Sequence, residues 1–289
     1  MTDYTKYVIA LREVAKVGPK GFQQLILHYG SPDNIYNSTI EELTSLPRIS
    51  SAKAKEILAS QDKLDEIENH IDYLASQEVG IITILDESYP PLLKQIDDPP
   101  PLLYYKGKFP LIDKTCIAVI GTTKASTKGV EKAVSWGKEL AQQDVVVVSG
   151  LAKGIDGAAH LGCLNGKGKT YAVLGSGLFN IYPKDHEDLA AEITKNGALI
   201  SEYPVNSPVN VGQLMARNRI VVGLSQAVII VEEDQNSSGT SDAAQKAIKQ
   251  GRPLFILESE NQQSVEKWVN QGAILLRDIF EIEMVLQYI

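Results

Sequence analysis

Cysteine and histidine are scarce in this chain of 289 residues, which has two of the former and four of the latter. Cys116 and Cys163 lie among apolar residues and neither belongs to a CxxC pair, so we interpret both as reduced core residues of a cytosolic protein. So few histidines disfavour a multi-histidine metal site, and no metal or other cofactor is expected. The four are His28, His70, His160 and His186.

Long apolar runs and an excess of positive charge are also lacking. No segment approaches the ~18 apolar residues of a membrane span, and the first residues carry no apolar signal core. We therefore expect a cytoplasmic protein. The formal net charge of −8 excludes a chain that is basic throughout, although a local basic cleft on an acidic body still suffices to bind nucleic acid.

Residues 116–160 carry the clearest structural pattern. Two apolar, β-branched runs at 116–121 and 145–150 each end at a glycine, which is typical of buried strands in a parallel sheet. Between them, residues 128–143 place apolar side chains at helical spacing and charged ones on the opposite face. This order predicts a βαβ unit, whose loops at the carboxyl ends of the strands are where open α/β sheets bind ligands.

The alternation of strands and helices continues to the end of the chain. Six alternating strands predict an α/β protein with an extended Rossmann-like, doubly wound parallel sheet. Residues 80–85 and 102–107 are expected to extend that sheet. After the βαβ unit the pattern predicts strands at 169–175, 198–203, 227–232, 253–257 and 273–276, and helices at 185–196, 211–224, about 240–250 and 262–270.

The first part of the chain predicts a small all-helical domain of residues 1–78, of the helix-hairpin-helix or SAM-like kind, followed by the sheet domain of residues 79–289. Short helical patterns are separated by a turn at 17–21 and by a second turn at 46–50. In a helix-hairpin-helix the turn amides and a helix amino terminus can hold a backbone phosphate. The alternative is a module that serves packing or protein contacts. The second turn has Arg48 where a small residue is expected.

The loops after the strands are rich in glycine and small polar residues. Glycine permits close backbone approach and helix amino termini present N–H donors, so these loops suit phosphate groups. Neither GxGxxG after the first strand nor the Walker motif GxxxxGK[ST] is present, which disfavours a nicotinamide cofactor and NTP hydrolysis. The alternative is that the glycines only make tight turns. The candidates are Gly121, Thr122, Thr123, Lys124, Ser149, Gly150, Lys153, Gly154, Gly175, Gly177, Ser238, Gly239 and Thr240.

Basic residues beside these loops predict a cationic cleft for a nucleic-acid backbone. Arg217 and Arg219 flank Asn218, and the apolar residues around them disfavour a merely solvated face. Asp156 and His160, spaced to share a helix face, are candidates for a structural hydrogen bond that holds the loop after the second strand. Both also stay candidates for contact with phosphate. The lysines expected near the cleft are Lys124, Lys128, Lys153 and Lys184, for which solvated surface charge is the alternative.

Several motifs together resemble the DNA-processing protein DprA (Smf) family. They are SGLAKGIDGAAH at 149–160, AVLGSG at 172–177, Tyr182-Pro183, SEYP at 201–204, RNRIVVGLS at 217–225 and DESYPPLL at 86–93. The resemblance implies an extended Rossmann fold that binds single-stranded DNA, forms a homodimer and helps load the RecA recombinase during natural transformation in competent cells. It implies no enzymatic turnover and no cofactor.

The chain departs from the family pattern at two loops. The family's Gly-Ser-Arg is here Gly121-Thr122-Thr123, and its Arg-Ser-Gly-Ser is here Ser237-Ser238-Gly239-Thr240, so two arginines are missing. Each missing arginine removes a bidentate phosphate contact. Two alternatives therefore stay open, a recombinase-interaction scaffold with weakened DNA binding and a nucleotide sensor or phosphoribohydrolase-like enzyme. Against hydrolysis, Ala243 stands where such an enzyme would carry its catalytic glutamate.

Overall fold

The computed structural model of the chain describes residues 4–111, 113–234 and 238–289. By internal contacts the chain divides into two units, Met1–Tyr89 with Asp97–Tyr104, and Pro90–Ile96 with Tyr105–Ile289. The helical domain expected at residues 1–78 falls within the first unit, which also includes 79–89 and 97–104; the boundary after residue 78 stays a prediction. Among the described residues, none of the helices combines the length and apolar character needed to cross a bilayer.

The first unit is built from short helices that meet at two sharp turns. A π-helical turn at Ala10–Val14 continues the first helix, and 3₁₀ turns occupy Asn34–Asn37 and Ser60–Lys63. Thr39 and Glu42 form a capping box at the third helix, and Ser50 caps the fourth. The elements are α1 (Thr5–Ile9), α2 (Pro19–Tyr29), α3 (Ile40–Thr44), α4 (Ser51–Ala59), α5 (Leu64–Ser76), β1 (Val79–Thr83) and β2 (Leu102–Gly107), whose last three residues belong to the second unit.

Both predicted helical hairpins are present in the first unit. Their apolar faces are buried, since Phe22, Leu25, Leu43 and Ile57 are almost completely inaccessible to solvent. Burying such side chains contributes roughly 1.5–3 kcal/mol each, which is what holds helices this short together.

The second unit contains the parallel sheet that the sequence predicts. The strands lie in the order β6–β5–β4–β3–β7–β8–β9, and every neighbouring pair is parallel. The chain steps outward from β3 in one direction as far as β6 and then returns to the other side of β3, so the order reverses between β3 and β7. The strands are β3 (Cys116–Gly121), β4 (Val146–Ser149), β5 (Thr170–Val173), β6 (Ala198–Ser201), β7 (Ala227–Glu232), β8 (Leu254–Leu257) and β9 (Ile274–Leu276).

Helices pack on this sheet over a continuous apolar core. The helices that contain Val134 and Gly162 approach closely. A side chain at Gly162 would meet the carbonyl oxygen of Val134 at 2.1 Å, so this approach requires glycine. Single 3₁₀ turns precede two of the helices, at Lys184–His186 and Ile279–Glu281. The helices are α6 (Pro91–Lys94), α7 (Thr127–Gln142), α8 (Ile155–Asn165), α9 (Glu187–Asn196), α10 (Val211–Ala216), α11 (Asn218–Gly223), α12 (Ser238–Lys249), α13 (Gln262–Val269) and α14 (Ile282–Gln287).

The doubly wound α/β class is confirmed, and one helix differs from the prediction. Residues 211–224 were expected to form a single helix, but they form α10 and α11 with Arg217 between them. Both cysteines are buried and unpaired, as predicted. Burial raises the pKa of each thiol to about 12, so neither is a reactive thiolate at neutral pH.

Candidate nucleic-acid interface

A cleft of about 540 Å³ opens at the carboxyl ends of β3, β4 and β7, beside the point where the strand order reverses. We call it the strand-end cleft. It is formed by the loops after these strands together with residues from α10 and from the segment before α9. The predicted site residues that line it are Gly121, Thr123, Lys124, Gly150, Lys153, Asp156, Arg217, Asn218, Ser238, Gly239 and Thr240.

Seven predicted site residues do not line the cleft, and most of them stabilise its walls. Ser149 Oγ donates to the Val119 carbonyl at 2.7 Å, which ties β4 to β3. Thr122 Oγ1 accepts from the Lys124 amide at 3.1 Å and so shapes the first loop. The other five are Gly154, His160, Gly175, Gly177 and Arg219. Ser237, the position of one missing family arginine, lies outside the described residues.

The three glycines in this group serve close backbone packing. A side chain at Gly154, where φ is +75°, would meet the carbonyl oxygen of Thr122 at 2.4 Å. At Gly177 it would meet the carbonyl oxygen of Pro204 at 2.1 Å, and at Gly175 the Cα of Leu214 at 2.9 Å. Close packing against distant segments therefore accounts for glycine at these positions, which neither phosphate contact nor the tight-turn alternative specified.

The Arg217 guanidinium lies in the wall of the cleft, in the space that a side chain at residue 150 would otherwise occupy. A Cβ atom on Gly150 would overlap the guanidinium, 1.4 Å from Nη1. The Arg217 side chain is 7% exposed and its Nη2 lies 3.7 Å from Asp156 Oδ2. Its Nε has no hydrogen-bond partner within the described structure. Of the two predicted arginines, Arg217 is thus the one that lines the cleft, and its buried Nε donor has no partner within the described structure.

Asp156 balances the charge of Arg217. It sits in the first turn of α8, where its carboxylate accepts from the Gly150 amide at 3.1 Å. Burial raises the pKa of this carboxyl and lowers the pKa of the Arg217 guanidinium, while the attraction between them acts in the opposite sense on both. A polyanion that approaches Arg217 must therefore share it with Asp156.

Arg219 is not available to the cleft, contrary to the prediction. Its guanidinium donates to both carboxylate oxygens of Glu202, at 2.6 and 2.7 Å, and both side chains are less than a tenth exposed. The two arginines are separated by one residue, but they occupy different places because the chain turns into α11 directly after Arg217. Arg219 is a structural residue that ties α11 to the end of β6.

The predicted lysines also do not gather into one cluster. Lys124 lines the cleft, is exposed, and has no ion pair among the described residues. Lys153 lines it as well, but donates to Asp185 at 2.5 Å, a contact that raises the pKa of the lysine. Lys128 pairs instead with Glu260 at 2.7 Å. Lys184 lies outside the cleft lining too.

Asp156 and His160 serve separate parts of the fold and are not bonded to each other. Thr170 Oγ1 donates to the Val147 carbonyl at 2.7 Å, and therefore accepts from His160 Nδ1, also at 2.7 Å. His160 is fully buried, and its Nε2 has no partner in the described structure. Burial lowers the pKa of this imidazole to about 3, so it is neutral. The predicted hydrogen bond between Asp156 and His160 is wrong, and the loop after β4 is held by Asp156 through the Gly150 amide and not by His160.

Asn218 positions the loop that enters α12. Its amide donates to the Gly239 carbonyl at 3.2 Å and to Asp242 at 2.8 Å. The amino terminus of α12 with Ser238, Gly239 and Thr240 consequently faces the cleft. A helix of twelve residues contributes partial positive charge there, which favours an anion.

One wall of the cleft is apolar, and reasoning from the sequence did not assign it a role. Tyr182 lines the cleft with 49% of its surface exposed, and Val211 does so with 77% exposed. Leu214 and Met215 continue this wall from α10. The signal was present in the Tyr182-Pro183 motif and in the apolar start of the 211–224 segment. Exposed aromatic and aliphatic groups beside cations are what nucleobases stack on.

Carboxylates are nearly absent from the cleft. Among the described lining residues Asp156 alone is acidic, and Ala243 lines the wall where a hydrolase would present its glutamate. In the described part of the chain no group of three or more His, Cys, Asp and Glu side chains could hold a metal ion.

Residues 80–287 match the family model described as DNA recombination-mediator protein A. The chain belongs to this family. The resemblance to DprA and Smf proteins is thereby confirmed. A protein Smf of Synechocystis sp. is 32% identical over 255 residues, which are 87% of this chain and 64% of that protein. The chain thus spans less than two thirds of the length of this relative.

Two solved structures of the family have the same fold. The X-ray structure of DNA processing protein A from Streptococcus pneumoniae superposes with a TM-score of 0.81 at 29% identity, covering 95% of both chains. The DNA processing protein A of Helicobacter pylori, which has a described single-stranded DNA binding mode, superposes with a TM-score of 0.66 at 29% identity. That match covers 73% of this chain and 96% of the other.

Proposed function

We propose that the strand-end cleft binds the backbone of single-stranded DNA with little sequence preference, and that the protein acts in DNA processing and recombination. The observation that carries the proposal is the position of Arg217. It is a buried guanidinium with an unused donor, held by Gly150 and Asp156 in a loop-lined cleft. Family membership and the Helicobacter pylori relative support the same reading.

Phosphates and bases would use different walls of the cleft. Lys124, Lys153 and the amino terminus of α12 supply charge and N–H donors, which suit phosphate oxygens. Tyr182 and the apolar residues of α10 offer a surface for bases, and stacking tolerates any base because every base has a π-face. Because the cations and amides of the cleft would contact the DNA backbone and not the base edges, we expect little discrimination between DNA sequences.

Fluorescence anisotropy with a labelled oligonucleotide at several salt concentrations tests the proposal. Lys124→Gln removes an exposed cation from the cleft, and we expect weaker binding and a less steep dependence of log K on log salt, by about 0.7. Lys128→Gln is the matched control, because Lys128 is exposed but lies outside the cleft. Absence of binding by the unchanged protein at low salt contradicts the proposal, and so does an equal effect of both variants.

The wider biological role is part of the same proposal. We infer that the protein binds DNA without turnover, needs no cofactor and works in the cytoplasm, as a homodimer that delivers single-stranded DNA to the RecA recombinase in natural transformation. The alanine at position 243 supports binding without hydrolysis. Pull-down of RecA with and without oligonucleotide, together with sedimentation of the protein alone, tests partner and oligomer.

Binding of a small nucleotide is the second candidate, because the cavity falls within the roughly 300–1,000 Å³ of ligand pockets. Titration of AMP into the protein–oligonucleotide complex separates the two. Displacement at micromolar AMP favours a nucleotide sensor. Release of free base, followed by chromatography, favours an enzyme. A recombinase scaffold with weakened DNA binding predicts RecA capture by a protein that ignores oligonucleotide.

A further inference from the structure

A second pocket lies in the helical unit, at the turns of its two hairpins. It measures about 370 Å³ and is formed by Lys16–Gly21, Arg48, Ile49, Lys53 and Asp98. We call it the hairpin pocket. All of its lining residues belong to the first unit, so it is distinct from the strand-end cleft. The two turns are far apart in the chain, at 17–21 and 46–50, and Lys53 of α4 connects the second hairpin to the first by donating to the Ala15 carbonyl at 2.6 Å.

Positive charge is concentrated at this pocket, although the helical segment around it has more acidic than basic residues. Residues 1–78 contain eight Lys and Arg residues but twelve Asp and Glu residues. Four of the eight basic residues line the hairpin pocket, and one carboxylate, Asp98, lines it with them. An acidic segment that places half of its cations around one cavity has a local field suited to an anion.

Three of these cations are not engaged in holding the fold. Lys53 has structural partners, since its Nζ donates to the Ala15 carbonyl at 2.6 Å and to Glu56 at 2.5 Å. The side chains of Lys16, Lys20 and Arg48 are exposed and make neither ion pair nor hydrogen bond with any described residue. The charge of Lys16 also acts on the Glu13 carboxyl, where it opposes the increase in pKa that burial causes. The charge of these three side chains is therefore available to a ligand.

The backbone of the pocket is open to a ligand as well. Helix α2, eleven residues long, begins after Gly18 without a side-chain cap, so the amides of its first turn have no partner from that source. A Cβ atom on Gly18 would meet nothing within 4 Å, which means that packing does not require the glycine there. Lys16 and Arg48 both have positive φ, of 51° and 69°, at the two turns that border the pocket.

We propose that the hairpin pocket is a second phosphodiester-binding site, which holds a backbone phosphate of the DNA strand that the protein binds. Cations around an uncapped helix amino terminus match the charge and the acceptor oxygens of a phosphate. The identity of the ligand as DNA rests on the proposed function. The location of the site rests on the residues of the pocket alone.

The test removes two charges without straining the backbone. Lys16→Gly suits the left-handed conformation at residue 16, and Lys20→Gln keeps the length of a side chain in the first turn of α2. The matched control is Lys167→Gly with Lys55→Gln. Lys167 is an exposed lysine with a φ of 59°, and Lys55 is an exposed lysine of α4, and neither lines the hairpin pocket.

Oligonucleotide binding is measured for the full chain and for both double variants over a range of salt concentrations. We expect the pocket variant to lose affinity at low salt and its dependence of log K on log salt to become less steep by about 0.7, as the loss of one neutralised phosphate requires. The control should bind as the unchanged protein does. Urea midpoints within error of each other establish that all three proteins are folded.

Other outcomes overturn the inference. Equal oligonucleotide binding by the pocket variant and the control rules out DNA at the hairpin pocket, while the strand-end cleft keeps its function. Calorimetric titration with inorganic tripolyphosphate tests whether the hairpin pocket binds a small polyphosphate instead. If it binds the unchanged protein, fails to bind the pocket variant, and oligonucleotide binding is the same for both, the occupant is a free polyphosphate and not DNA. If the unchanged protein binds no oligonucleotide, both the proposed function and the assignment of DNA to the hairpin pocket fail. The effect of Lys124→Gln on binding tests the strand-end cleft alone.

Discussion

Asp156 and Arg217 form a buried ion pair in the wall of the strand-end cleft, with Oδ2 and Nη2 3.7 Å apart and both side chains less than a tenth exposed. The pair joins the first turn of α8 to the break between α10 and α11. It therefore fixes one wall of the cleft and sets the charge there at the same time.

Changing Arg217→Met should destabilise the protein by about 3–5 kcal/mol, because it leaves the Asp156 carboxylate buried without its partner. The double variant Asp156→Asn with Arg217→Met should recover much of that loss, since no unpaired charge remains. Urea unfolding of the single and double variants near pH 7 measures the coupling. Losses that simply add would show that the two side chains do not depend on each other.

Gly150→Ala should displace the Arg217 guanidinium, because the new methyl group would occupy its place. We expect a loss of about 1–3 kcal/mol of stability from overpacking, together with weaker oligonucleotide binding. Gly239→Ala is the control in the same cleft. Its added methyl group meets nothing within 4 Å, and alanine favours the first turn of α12. A Gly150→Ala protein as stable as this control would contradict the assigned packing.

Arg219→Met should cost about 3–5 kcal/mol of stability, because it strands the buried carboxylate of Glu202. Below its unfolding temperature, the variant should bind oligonucleotide with an unchanged salt dependence, since Arg219 does not line the cleft. Anisotropy titrations at several salt concentrations, on protein verified as folded, measure this. A clear decrease in the salt dependence would show that Arg219 does contact DNA.

Stability should fall in acid partly through His160. The pKa of this buried imidazole is about 3, below the ordinary value of 6.5, so between these values the unfolded chain binds a proton that the folded chain does not. The contribution of His160 is fully present above about pH 6.5 and is lost progressively as the pH falls towards 3. At pH 5 the loss is about 2 kcal/mol.

His160→Gln tests that contribution. The difference in unfolding free energy between about pH 7.5 and pH 5 should shrink by about 2 kcal/mol in this variant, whatever its absolute stability. His28→Gln, a change at an exposed histidine, is the control variant. If both variants retain the full pH dependence, acid destabilisation comes from other groups.

Tyr182→Ala should weaken binding of single-stranded DNA by about 1–3 kcal/mol, the usual contribution of one stacked base. Tyr182→Phe keeps the ring and should bind nearly as well. Tyr73→Ala serves as the control, because Tyr73 has the same 49% exposure but belongs to α5 in the helical unit. Equal affinity of Tyr182→Ala and Tyr73→Ala would remove stacking from the proposal.

The sequence predicted the frame of the site well, because strands buried on both faces need long β-branched runs that few other structures tolerate. The strand predicted at 116–121 has those bounds in the structure, and the one predicted at 145–150 is observed at Val146–Ser149. The loops that follow these strands are therefore brought together as expected. Glycines such as Gly150 also mark real close approaches.

What could not be predicted is which charges neutralise one another. Arg217 and Arg219 have similar neighbours in sequence, yet one lines the cleft and the other is bound to Glu202. The partner residues are distant in the chain, and only the folded sheet brings them near. The break in the helix at Arg217 was also missed, because neither Arg217 nor its immediate neighbours is a glycine or proline that would interrupt a helix.

The strand-end cleft joins loops that lie more than a hundred residues apart in the chain, from Gly121 to Thr240. No contiguous fragment that stops short of β7 contains a whole site, so a ligand cannot engage a partly translated or partly folded chain in the native manner. Binding at the strand-end cleft is accordingly possible only after β7 has been synthesised and the sheet has folded. Two complementary fragments that divide the second unit should bind oligonucleotide at the strand-end cleft only when they associate.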